Sequence, residues 1–128
     1  MPNHRSRFYG GAAIVAAALA FWIAPALAHH GWGGYSDKDF ELTGTVVKQV
    51  SLAGPHATMQ IRADQQVWDI TLAPPARTSQ AGLRENTIPV GASVKVHGHR
   101  HLDPKKFEIK TERVTYNGKI YNVYPDRE

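Results

Sequence analysis

The chain has 128 residues, no cysteine, and 15 Lys plus Arg against 11 Asp plus Glu, for a formal charge of +4. The missing cysteine excludes disulfides, thiolate metal ligands and a thiol nucleophile. The length suits a single domain with one core.

Residues 1–28 read as a secretory signal peptide. Arg5 and Arg7 give a positive start, residues 12–23 an apolar stretch, Pro25 a helix break, and Ala26-Leu27-Ala28 an Ala-x-Ala cleavage site. The apolar stretch falls short of the ~20 residues that span a bilayer. Cleavage between Ala28 and His29 is therefore expected, with no membrane insertion afterwards. Ser6 separates the two arginines, which fits the general secretory route to the periplasm or the exterior rather than a twin-arginine route. Removing Arg5 and Arg7 leaves 13 basic residues against 11 acidic ones. That small surplus gives no electrostatic case for nucleic acid.

The mature chain is predicted to open with a flexible, glycine-rich arm, residues 29–39, which Trp32 and Tyr35 can pin to the body of the domain. Residues 40–50 form a Thr- and Val-rich strand. Gly44 in its middle marks a bulge or sharp bend, which lets one strand serve two sides of a small barrel. A turn at 53–56 leads to a strand at 57–62, with Met59 and Ile61 on one face. After a polar connection, residues 67–72 alternate Trp68, Ile70 and Leu72 with Asp69 and Thr71, which is the pattern of a half-buried hairpin. Pro74-Pro75 stops that strand. Residues 76–81 make about two helical turns, with Gly82 past the end and Leu83 folding back.

Pro89-Val90-Gly91 turns the chain into residues 93–101, Ser-Val-Lys-Val-His-Gly-His-Arg-His. Here Val94 and Val96 face a core, and Lys95, His97, His99 and His101 face the other way. Residues 107–116 and 120–124 form a hairpin about Asn117-Gly118, followed by a polar tail, 125–128. Three strands, a short helix and two or three more strands predict an OB-like barrel of five or six strands over residues 40–124, with the helix between strands three and four. A generic six-stranded barrel or sandwich is the alternative.

His29-His30-Gly31-Trp32, Pro55-His56-Ala57, Trp68, Leu72-Ala73-Pro74-Pro75, Arg77, Gly82-Leu83 and Gly98 together make a pattern. It resembles a family of small exported bacterial proteins catalogued as a domain of unknown function. The resemblance covers nearly the whole mature chain. It implies an exported β-barrel and brings no activity, substrate or cofactor.

The chemistry of this chain lies in its imidazoles. A mature N-terminal His29 offers an α-amine and a ring, and His30 adds a second ring. Such donors suit copper, nickel or zinc. Neighbouring rings on the 93–101 strand stand about 6.5–7 Å apart, so His97 and His99 can share one ion. A bulge at Gly98 would break that parity. His56, His101 or Asp103 could supply further ligands, and the arm and strand could form one site or two. No Gly-x-Ser-x-Gly elbow, carboxylate pair or phosphate loop marks an enzyme. The expected function is a non-enzymatic exported protein that binds copper or zinc through surface histidines. The rival is a cell-envelope module that binds a protein or glycan partner and has no metal role.

Overall fold

The computed structural model describes residues 32–127. The predicted signal peptide, the cleavage site after Ala28, and His29 and His30 lie outside the described residues. Six strands and one helix follow in order: β1 (Phe40–Ser51), β2 (Thr58–Ala63), β3 (Gln66–Thr71), α1 (Pro75–Gln80), β4 (Ser93–Arg100), β5 (Glu108–Tyr116) and β6 (Lys119–Asn122). The sheet runs β3-β2-β1-β4-β5-β6, and β3 also pairs with β5. That pairing is parallel, with Ile70 opposite Ile109. It closes five strands into an OB-like barrel, and β6 is the extra strand beside β5.

The first strand makes closure possible because it serves two partners. Residues 40–45 pair with β4, while Thr45 onward pairs with β2. Gly44 stands at this hand-over. A Cβ there would lie 2.7 Å from the Arg62 carbonyl oxygen, a distance real Cβ atoms do not adopt. The irregularities predicted at Gly44 come just after it, as register shifts between Val46 and Lys48 and between Lys48 and Ser51.

Period-two alternation sends Met59, Ile61, Trp68, Ile70, Val94 and Val96 inward, all buried. Leu83 and Ile88, beyond the helix, join the same core. The helix starts on Pro75 without a side-chain cap, and its buried Thr78 donates its hydroxyl to the Ala73 carbonyl at 2.8 Å. Among the described residues no helix is long and apolar enough to cross a membrane.

The segment before β1 lies along the barrel. The Ser36 N–H donates to the Arg100 carbonyl, and the Leu102 N–H to that of Gly34, each at 2.8 Å. Tyr35 forms a bridge with His101. Its hydroxyl donates to Glu108 Oε1 at 2.5 Å, and Thr71 donates to the same oxygen at 2.9 Å. One carboxylate thus ties the arm to both strands of the closing pair.

Candidate metal centre

The register of β4 against β5 creates the site. Val96 faces Val114 and His97 faces Arg113, but Gly98 faces Thr111. Glu112 is therefore one extra residue in β5, a bulge of the kind that re-aims a side chain. The bulge lies on β5 rather than at Gly98, so His97 and His99 keep the same parity on β4. Gly98 is what lets the two backbones close at this point. A Cβ on it would lie 2.1 Å from the Lys110 carbonyl oxygen and 2.8 Å from Thr111 Cα. The bulge is held from behind, where the Glu112 carbonyl accepts the Val123 N–H at 2.9 Å.

The bulge turns the Glu112 carboxylate onto His99, whose Nε2–H donates to Oε1 at 2.5 Å. Both residues are buried, with His99 6% exposed and Glu112 4%. Asp39, just before β1, brings a third group: its Oδ1 lies 3.8 Å from His99 Nε2 and 3.5 Å from His97 Nε2. One ligand atom from each of Asp39, His99 and Glu112 falls within 4.8 Å of the others. On the outer side His97 Nδ1 contacts Glu41 Oε1 at 3.1 Å. That hydrogen bond, with help from Lys95, holds the Glu41 carboxyl below its ordinary range.

An aromatic cover lies over His99. The Trp32 indole meets the imidazole edge-on, with ring centres 5.6 Å apart, and meets Tyr124 at 5.1 Å. The Arg127 guanidinium stacks on the indole at 3.9 Å, and Lys110 Nζ lies 5.4 Å from the same ring. Burial pushes the Lys110 ammonium below its usual range. Beside this cover is a cavity of about 380 Å³, lined by Asp39, His99, Glu112, Asp126 and Arg127.

Of the histidines singled out by sequence, the structure brings His97 and His99 to one carboxylate, Asp39. His99 is not the surface histidine expected; it is buried against Glu112 and Trp32. His101 does not join the cluster. Its ring packs on Tyr35, centres 5.3 Å apart, and Nδ1 accepts the Asp103 N–H at 3.0 Å. The Asp103 carboxylate accepts the Lys105 N–H. The His56 ring bonds the Leu72 carbonyl through Nδ1 at 3.0 Å. Trp32 and Tyr35 both pin the arm, and Trp68 is core, as expected.

Sequence reasoning missed Asp39 and Glu112. A signal for Glu112 was present: Ile109 and Val114 are both apolar and buried, yet they stand five positions apart, an odd number. Regular period two cannot place both inward, so a bulge between them was required. Asp39 sits in a polar approach to β1 and carries no comparable signal.

A family model described as a family of unknown function (DUF6152) matches residues 16–110, well over half of the chain. The chain belongs to this family. The matched range includes Asp39, His97 and His99 and ends before Glu112. No curated protein matches the sequence. Among solved structures, the crystal structure of the ZRD-deleted mutant of TiaS in complex with agmatine is similar, at 18% identity and a TM-score of 0.49, over 67% of this chain and 26% of that one. The DUF6152 chain therefore spans about a quarter of that protein's length.

Proposed function

We propose that this DUF6152 protein is exported and binds one divalent transition-metal ion, zinc or copper, through His99 Nε2, Glu112 and Asp39. The observation that carries this reading is the convergence of three ligand atoms within 4.8 Å, two of them on buried side chains. A tetrahedral ion with bonds of roughly 2.0–2.2 Å holds its ligands about 3.4 Å apart. The His99–Asp39 separation of 3.8 Å needs only a small contraction, and the 2.5 Å His99–Glu112 contact an expansion about twice as large. Asp39 is largely exposed and free to adjust.

An imidazole with two carboxylates suits zinc, and copper follows from its generally higher affinity for such donors. A metal takes the Nε2 lone pair, so the ring proton now directed at Glu112 passes to Nδ1, which has no hydrogen-bond partner among the described residues. His97 borders the site through Asp39. His29 and His30, three and two residues ahead of Trp32, are further candidate ligands because Trp32 packs on His99. Function as an exported protein rests on the Arg5–Ala28 sequence pattern alone.

Thermal unfolding with zinc or copper tests this reading. A ligand present at 100 times its Kd stabilises the native state by about 2.7 kcal/mol, so the melting temperature should rise. Asp39→Asn, at an exposed position, and Glu112→Gln should each shrink that rise. The reading fails if neither ion shifts the melt, or if both variants respond as the parent does. A double His29→Ala, His30→Ala variant that keeps the shift assigns it to the barrel; one that abolishes it moves the site to the arm.

A further inference from the structure

A second recess lies on the other side of Asp39, between the arm and the loop that joins β4 to β5. Its volume is about 430 Å³, and Lys38, Phe40, Arg100, Leu102 and Pro104 line it. Cavities of roughly 300–1,000 Å³ hold small molecules. The metal reading uses none of these five residues.

Arg100 is the group that needs explaining. Its guanidinium lies 4.8 Å from the centre of the Trp68 ring and 5.5 Å from that of Phe107. One of its nitrogens donates to the Pro104 carbonyl at 3.2 Å. Among the described residues no carboxylate lies within ion-pair distance of Arg100 or Lys38. Arg100 is thus a cation held beside the buried Trp68 ring and the half-buried Phe107 ring, with most of its N–H fork unassigned. Such a fork matches a carboxylate, and its place beside the rings removes much of the ordering cost of binding one.

Phe40, Leu102 and Pro104 give the recess an apolar side, while Ser36, Asp39 and His101 complete its lining. Phe40 packs on Trp68, ring centres 5.7 Å apart, while Leu102 is 64% exposed. An exposed leucine beside Phe40 and Pro104 offers surface that an apolar body can cover. Asp39 on the rim repels a multiply charged group more than a singly charged one.

We propose that this recess binds a small amphipathic monocarboxylate, with its carboxylate on Arg100 and Lys38 and its apolar body on Phe40, Leu102 and Pro104. The test is calorimetric titration of the protein with sodium octanoate, and with octylammonium chloride as a probe of equal chain length and opposite charge. Octanoate should saturate a single site and octylammonium should not. Arg100→Gln should weaken octanoate about tenfold or more, the worth of a charge-assisted hydrogen bond. Leu102→Asp should weaken it as well, and at an exposed position it keeps the test valid if Arg100→Gln fails to fold. Absence of saturable octanoate binding overturns the proposal. So does octylammonium binding of equal strength, or wild-type affinity in a folded form of either variant.

Discussion

Tyr35 shows how one hydroxyl sets a pH limit on the fold. Burial comes first and the hydrogen bond to Glu108 second, and together they push its phenol well above the usual tyrosine range. Above pH ~10 the unfolded chain gives up this proton while the native state keeps it. The unfolded state then binds fewer protons, so stability falls as pH rises. Tyr124, raised mainly by burial, acts in the same direction. Lys110, lowered by burial, acts in the opposite one, because the native state releases its proton first. Tyr35→Phe should therefore give a shallower decline of melting temperature above pH ~10 than the parent chain. An equally steep decline would show that Tyr35 is not the group responsible. The pinning role of Tyr35 was legible in the sequence from its place outside the strands. Its partner was not, because Glu108 lies 73 positions away and only barrel closure brings it near.

Among the elements, the β4–β5 pair carries the site, and Gly98 is its narrowest point. Alanine there would drive a Cβ into the Lys110 carbonyl and the Thr111 backbone. Neither atom belongs to a flexible side chain, so the strands themselves must part. Overpacking costs about 1–3 kcal/mol where side chains can shift, and Gly98→Ala should reach or exceed the upper end of that range. Denaturant unfolding measures it, and a variant within 0.5 kcal/mol of the parent, about the ordinary effect of a surface change, would refute the close-approach account. The histidine strand was readable from Val94 and Val96 alternating with His97 and His99. The partner bulge was not, because the alternation within β4 carries no information about the register of β5. The conflict between Ile109 and Val114 appears only when β5 is held to the same rule.

At the level of the molecule, the succession of strands and helix along the chain was legible because few elements had to be placed. A long first strand with a central glycine, two hairpins and a short proline-started helix suit an OB-like barrel, with a generic six-stranded barrel or sandwich as the alternative. Closure itself, through parallel pairing of β3 with β5, joins residues some forty positions apart and has no local signature. The meeting of residues from before β1 and after β6 beside one histidine is equally non-local: Trp32 packs on His99, and Arg127 on Trp32.

The placement of Asp39 has one more outcome. Its carboxylate is a party wall, facing the His99 cavity on one side and the Arg100 recess on the other. Drawn to a cation, it stops opposing an anion next door. Zinc should then tighten octanoate binding, and octanoate should tighten zinc by the same factor, because thermodynamic linkage is reciprocal. In Asp39→Asn that mutual factor should shrink, measured as the octanoate Kd without zinc and at saturating zinc. Two ligands of opposite charge would then communicate through a single side chain, with no strand of the barrel needing to move.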